Sequence, residues 1–148
     1  MFRGRVNTTI DDKGRIVMPS RFRKDISSKA KGKFVITYGR NKCLWLYPFN
    51  AWLKLEARIA AMDSLDADAV ELRRAMLDGS EDCKIDSQFR ILFKDHALQY
   101  AGIEKDILMI GQLERIEVWS PEVYAKYKKD NNVVLETAID KVLKKNSN

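Results

Sequence analysis

The amino-acid sequence predicts a mainly β protein with helices, of the α+β class, built from two tandem copies of a small β-hairpin module. Two observations carry this prediction. Short β-prone runs alternate with turn residues, and the same order of runs returns about 75 residues later. A chain of 148 residues is long enough to bury a core without disulfides or metals.

The first module has the pattern of short strands joined by turns. Gly14 ends a polar turn and is free to adopt a positive φ, and Pro19 closes the next strand because it has no N–H for a ladder. Ser20 is the predicted N-cap of the helix that follows. The predicted elements are a strand at 5–10, a turn at 11–14, a strand at 15–18, a helix at 20–26 and strands at 33–38 and 43–47.

Helical periodicity marks the middle and the end of the chain. Apolar residues recur every three or four positions from the predicted cap Asn50 to Met62. A second helix is expected at 66–78 and ends at Gly79. A tail helix is expected at 132–143, because its apolar residues fall on one face.

The second module is a repeat of the first. Residues 85–93 align with residues 10–18 at an offset of 75, and both segments contain the pattern Asp-x-x-x-Arg. In both halves a proline opens a helix after the last strand. A single duplication of this size favours pseudo-twofold symmetry within one compact unit.

Positive charge is concentrated in the first third of the chain. Residues 1–43 contain twelve Lys or Arg and three Asp, a balance of +9. The remaining 105 residues contain fifteen basic and eighteen acidic groups, a balance of −3. Such an asymmetry is typical of a face that binds a polyanion, and an ordinary lysine-rich solvated surface is the alternative.

The sequence has no pattern typical of catalysis or of a bound cofactor. His96 is the only histidine and is expected at the surface or at a helix start, and no serine or cysteine lies in a nucleophile context. Cys43 and Cys83 are expected to be free thiols, because their spacing fits neither a zinc site nor a disulfide framework. We therefore expect no enzyme activity, cofactor, metal site or small-molecule substrate.

We also expect a cytoplasmic protein without a membrane partner. The sequence contains no apolar run long enough for a membrane span. Residues 1–5 are basic but are not followed by the apolar stretch of a signal peptide.

The sequence resembles the MraZ family and, more broadly, the AbrB/SpoVT-like swapped-hairpin DNA-binding proteins. The similarity lies in the opening Met-Phe-Arg-Gly, in the Lys-Gly-Arg-Ile and Met-Pro steps between Asp11 and Arg23, and in the two Asp-x-x-x-Arg motifs. It extends from residue 1 to about residue 125 and includes the paired helices between the modules.

The resemblance implies a transcriptional regulator of a bacterial division and cell-wall gene cluster that binds short direct repeats of double-stranded promoter DNA. It also implies ring-like homo-oligomers at the nucleoid and one pseudo-twofold barrel formed by two AbrB-like modules. The expected divisions are a DNA-reading module at 5–52, a helical connection at 53–79, a module for barrel completion or assembly at 80–125, and a tail helix at 126–148.

The candidate DNA contacts are basic residues around one two-stranded ribbon. Arginine suits this role because its planar fork donates two parallel hydrogen bonds to guanine, and such a ribbon fits a major groove. In AbrB-type proteins the residues that match Arg15, Arg23 and Lys24 contact DNA. Thr8 stands where those proteins have another arginine, and Arg5 is a candidate replacement. The full candidate set is Arg3, Arg5, Lys13, Arg15, Arg21, Arg23 and Lys24.

The residues that hold the two turns are expected to be structural, because an Asp at a turn start bonds the backbone two residues later. These residues are Asp11, Gly14, Asp86 and Arg90. Residues 3–24 carry a balance of +5, whereas the equivalent residues 78–99 carry −2 and have Phe89 in place of the turn glycine. Because a negative hairpin is a poor partner for phosphates, the first copy is expected to read DNA and the second to complete the barrel or the subunit interface.

Two other functions remain open on the sequence alone. AbrB-type antitoxins share the hairpin but follow one module with a disordered toxin-binding tail, whereas this chain has a second module and only about twenty trailing residues. A sequence-nonspecific nucleoid protein would share the basic face. Comparison of promoter DNA with scrambled DNA at one salt concentration separates a nonspecific binder from a specific regulator.

Overall fold

The computed structural model describes residues 1–147 and has the mixed α+β composition that the sequence predicts. Its strands are β1 (Phe2–Thr9), β2 (Arg15–Val17), β3 (Lys33–Tyr38), β4 (Leu44–Pro48), β5 (Glu81–Lys84), β6 (Arg90–Leu92), β7 (Asp106–Leu113) and β8 (Arg115–Trp119). Its α-helices are α1 (Ser20–Arg23), α2 (Phe49–Ala60), α3 (Ala67–Asp78), α4 (Asp95–Ala101), α5 (Pro121–Asp130) and α6 (Leu135–Asn146). Short 3₁₀ turns lie at Ser28–Ala30 and Arg40–Lys42.

Strand pairing joins the two modules to each other. One antiparallel sheet has the order β1-β7-β8-β4-β3-β5, and β2 pairs with β6 in a separate two-stranded ribbon. β1 therefore pairs with β7 of the second module, and β2 pairs with β6. The prediction that the first two strands form a hairpin within the first module is wrong, because β2 pairs with β6 of the second module and buries Ile16 against Ile91 there.

The pairing is symmetric between the modules. Thr8 lies opposite Ile107 in the β1–β7 pair, and Cys83 lies opposite Phe34 in the β5–β3 pair. When the modules are overlaid, the first strands align at an offset of 75 and the later strands at an offset of 73. Thr8 then corresponds to Cys83, and Phe34 corresponds to Ile107, so the two pairs are equivalent. β4 and β8 meet at the centre of the sheet. The sequence repeat is therefore also a pseudo-twofold repeat of strand register.

The six-stranded sheet is covered on both faces. Phe34 and Ile36 of β3 pack in the same cluster as Ile16 and Ile91 of the ribbon. Val35, between them in β3, packs in a second cluster that contains all three tryptophans. A strand that is buried on both faces reads as a continuous apolar run, which is why β3 does not alternate. The ribbon thus lies over the first cluster.

The predicted helices are present, but the N-caps of two of them differ from the predicted caps. Ser20 is not the N-cap of α1, because Pro19 holds that position with a φ of −57°. α2 begins directly after Pro48, which has a φ of −58°, so the predicted opening of this helix by a proline is confirmed and the predicted cap Asn50 is wrong. In both helices the fixed φ of proline leads the chain into the helix without a side-chain cap.

The expected divisions of the chain cross elements of the structure. The boundaries at 52 and 125 fall inside α2 and α5. The expected tail segment 126–148 contains the end of α5 and the separate helix α6, and its last residue, Asn148, lies outside the described residues. Among residues 1–147 there is no helix with both the length and the apolar character needed to cross a bilayer.

Candidate nucleic-acid interface

The first Asp-x-x-x-Arg motif forms a closed turn between β1 and β2. One carboxylate oxygen of Asp11 accepts hydrogen bonds from the backbone N–H of Lys13 at 2.9 Å and of Arg15 at 2.8 Å. The other oxygen accepts a hydrogen bond from Nε of Arg15 at 2.8 Å. The four-residue spacing therefore lets one carboxylate satisfy the turn backbone and hold the arginine that ends the turn.

The second motif repeats this arrangement. Asp86 accepts hydrogen bonds from the backbone N–H of Gln88 at 2.9 Å and of Arg90 at 2.8 Å, and from Nε of Arg90 at 2.7 Å. Such bonds favour the ionised carboxylate, so the pKa of Asp86, like that of Asp11, lies below its usual value. The largest cause in each turn is the backbone N–H of the arginine. Each arginine is thus held in place by an ionised partner.

The position before each arginine has a positive φ. Gly14 has a φ of +83°, and a Cβ at this position would lie 2.7 Å from the backbone oxygen of Phe93. The Phe93 N–H donates to the Gly14 carbonyl at 2.8 Å, which fixes this close approach. Phe89 takes the equivalent position with a φ of 60°. The second copy therefore keeps the turn without its glycine.

The β2–β6 ribbon has an outer face to which both modules contribute. The central residue of each strand is buried, so its neighbours on either side point outward. On this face Arg15 lies opposite Leu92, and Val17 lies opposite Arg90. Val17 and Leu92 are 45% and 48% exposed. Sequence reasoning missed these two apolar residues, although the matching runs Arg-Ile-Val and Arg-Ile-Leu place them beside the arginines.

The two ribbon arginines are partly exposed and only partly used by the fold. Each side chain is 28% exposed. Within residues 1–147, Nε is the only guanidinium nitrogen of Arg15 or Arg90 that makes a hydrogen bond. The terminal nitrogens of both guanidinium groups therefore make no hydrogen bond within this part of the chain.

A second group of basic residues lies along β1 and α1. Arg3 and Arg5 lie on the more exposed side of β1. Nε of Arg21 donates to the backbone carbonyl of Arg3 at 3.1 Å. The guanidinium group of Arg21 lies against Gly4, and a side chain at position 4 would collide with this group. The structure therefore brings Arg3 and Arg21 together.

Arg23 lies beside the turn of the second module. Its Nε donates to the backbone carbonyl of Met18 at 2.8 Å, and its guanidinium carbon lies 4.3 Å from the ring centre of Phe89. Arg23 lies on the short helix after the ribbon strand, as the sequence predicts, and this helix carries it to the turn of the second module. Because β2 and β6 are antiparallel, the end of β2, where α1 begins, lies next to the second turn. Lys13, in the first turn, and Lys24, at the end of α1, are both exposed.

The remaining chemically active side chains are part of the fold. His96 is near the start of α4, where its Nδ1 lies 3.1 Å from the Tyr38 hydroxyl and its Nε2 lies 3.3 Å from Glu81. Cys43 and Cys83 are free thiols, as predicted, and burial raises the pKa of Cys83 to about 12. In the described part of the chain, residues 1–147, no cluster of three or more His, Cys, Asp or Glu is arranged to hold a metal ion.

The chain is similar to known transcriptional regulators over most of its length. The family profile described as "MraZ protein, putative antitoxin-like" matches residues 1–75 and again residues 76–145. The chain is 37% identical over 136 residues, 92% of both chains, to the "Transcriptional regulator MraZ" of Caldanaerobacter subterraneus subsp. tengcongensis. It is 34% identical over 143 residues, 97% of both chains, to the protein of that name from Moorella thermoacetica. With the protein of that name from Haemophilus influenzae it shares 39% identity over 121 residues, 81% of this chain and 80% of the relative. The chain belongs to the MraZ family.

Proposed function

We propose that this protein is a transcriptional regulator that binds double-stranded promoter DNA through the outer face of the β2–β6 ribbon. Relatives that match most of the chain carry the name of transcriptional regulators. The observation that carries the proposal is the presence of two arginines, Arg15 and Arg90, on one face of a two-stranded ribbon. The proposed role is DNA binding without catalysis.

The chemistry of this face suits the edges of base pairs. A two-stranded ribbon is narrow enough to enter the major groove, and an arginine fork can pair with O6 and N7 of guanine. Val17 and Leu92 lie opposite the arginines and offer apolar contacts of the kind that a thymine methyl group accepts. Because carboxylates already hold both arginines, less side-chain entropy is lost when DNA binds.

The surrounding basic residues have the proposed role of phosphate contacts, which set affinity and register but carry no sequence information directly. They are Arg3, Arg5, Lys13, Arg21, Arg23 and Lys24. We assign the reading of bases to both modules, in place of the division expected from charge. Arg23 supports this assignment, because it brings positive charge of the first module to the second turn.

We further propose that the protein forms a ring-shaped homo-oligomer, which binds direct repeats in the DNA. One ribbon contacts only a few base pairs, too few for selectivity in a genome. Several ribbons on repeated sites raise the effective concentration of each binding event without new contacts. From the family resemblance we also propose that the two modules close into one barrel. We propose that the protein acts at the nucleoid in the cytoplasm and controls a bacterial division and cell-wall gene cluster.

A DNA titration tests this function. Fluorescence anisotropy compares the duplex just upstream of the protein's own gene with a scrambled duplex of equal length at one moderate salt concentration. A specific regulator prefers the promoter by about a thousandfold or more. Equal affinities would contradict the proposal in favour of a sequence-nonspecific nucleoid protein. Co-purification of a toxin whose complex does not bind this DNA would favour the antitoxin-like role that the family description includes.

A further inference from the structure

The apolar face of α6 has no partner within residues 1–147. All twelve residues of the helix are exposed. Leu135, Ile139 and Val142 nevertheless recur at spacings of four and three and form one apolar stripe, with exposures of 75%, 47% and 57%. An isolated helix of this length is marginal in water. A stable α6 therefore requires a surface that covers this stripe.

The charges of α6 are sorted on the two sides of the stripe. At 3.6 residues per turn, Glu136 and Asp140 lie along one side of it. Lys141 and Lys145 lie along the other side. A matching surface is therefore apolar, with positive charge along one edge and negative charge along the other.

A groove beside α2 combines an apolar lining with charged side chains of both signs. Its volume is about 330 Å³, and its lining includes the apolar side chains of Ala51, Leu55 and Leu113. Lys54 and Arg58 also line it and lie one turn apart on α2. Both are exposed, and neither makes an ion pair with another residue in the range 1–147. These two basic side chains are thus free of ion pairs within the described fold.

The spacing of the charges matches between the two surfaces. Lys54 and Arg58 are four residues apart, as are Glu136 and Asp140. We propose that α6 of one copy docks into the α2 groove of a second copy, with Ile139 in the groove and these two pairs in contact. An amphipathic helix laid into an apolar groove is a recurrent mode of recognition.

This contact gives the proposed homo-oligomer, on which the inference rests, a definite geometry. The groove lining also includes two acidic residues, Asp25 and Glu114, which lie 3.8 Å from the N-terminal ammonium of Met1 and 3.9 Å from Arg115, respectively. α6 and the groove are different surfaces, so the contact is head to tail. Such a contact repeats from copy to copy and closes into a ring when the rotation allows.

Charge reversal in the full chain tests the contact. The double variant Glu136→Lys/Asp140→Lys reverses the acidic edge of α6, and Lys54→Glu/Arg58→Glu reverses the basic edge of the groove. All four residues are exposed, so circular dichroism should show both variants folded. Lys126→Glu/Lys129→Glu, on the exposed side of α5 and outside the groove, is the matched control.

Sedimentation velocity should show assembly of the wild type and the control, and dissociation of each of the two test variants. An equimolar mixture of these variants should reassemble, because each reversed helix then meets a reversed groove on the other chain. Unchanged sedimentation of the variants, a monomeric wild type, or no recovery on mixing would overturn the proposal. Promoter binding of the wild type is measured in parallel. If the wild type binds the promoter and assembles, and the variants sediment like the wild type, only the docking contact is wrong. If the wild type does not bind the promoter, the proposed function is wrong.

Discussion

Substitution of Ile16 or Ile91 by alanine should destabilise the whole chain rather than one module. The two residues are direct partners across the β2–β6 ribbon, and each is 1% exposed. Truncation of a buried isoleucine to alanine costs about 2–5 kcal/mol of unfolding free energy. Because the modules exchange strands, we expect this loss to appear in a single unfolding transition.

The two losses should not be additive. Each substitution empties space beside the other side chain, so the double variant should differ from the sum of the single variants by about 0.5–3 kcal/mol. Val17→Ala is the control, because Val17 lies on the same ribbon but is 45% exposed. Its truncation should cost less than about 1 kcal/mol.

Urea unfolding measures these values with two probes. Tryptophan fluorescence reports on the second cluster, which contains all three tryptophans, and far-UV circular dichroism reports on the whole chain. Additive losses within about 0.5 kcal/mol, or transitions that separate between the two probes, would refute a ribbon shared by both modules.

Two further predictions concern the turns. The carboxyl groups of Asp11 and Asp86 should titrate below pH 3.8 in ¹³Cγ NMR spectra, because backbone N–H groups favour their ionised forms, and a midpoint at or above 3.8 would contradict this reading. Since the folded pKa is lowered, the stability from these groups is complete above the unfolded pKa and is lost as the pH falls through the folded pKa. Gly14→Ala should lower the melting temperature, because the alanine must adopt a φ of +83° and its Cβ approaches the Phe93 backbone oxygen at 2.7 Å. Phe89→Gly, at the equivalent turn position, should leave the melting temperature equal or higher, and a similar fall in both variants would argue against this explanation.

Local patterns in the sequence predicted several elements correctly. The β-prone run between two polar turns predicted β3 with both of its ends, and the apolar periodicity predicted helices between the modules and near the end of the chain. These elements follow from residues within a few positions of one another. The bonds of Asp11 to its own turn are equally local.

Strand exchange could not be read from the same patterns. A strand, a polar turn and a second strand look like a hairpin, but β1 and β2 find their partners in the second module. The choice depends on the burial of Ile16 against Ile91, which are 75 residues apart in the sequence. The position of Arg23 beside Phe89 follows from the same exchange, and so the charge of a module did not predict the charge around its turn.

The most direct test of the proposed interface compares Arg15→Ala with Arg90→Ala in promoter binding. If both arginines read bases, each substitution should weaken promoter binding by about 5- to 150-fold, the range for loss of one arginine–base contact, and should affect scrambled DNA less. Lys13→Ala should weaken binding to both DNAs alike and lower the slope of the salt dependence by about 1. If Arg15→Ala loses promoter affinity and Arg90→Ala keeps the wild-type affinity, the result contradicts base reading by both modules. If both variants keep the wild-type affinity, the result contradicts the ribbon as the DNA-binding face.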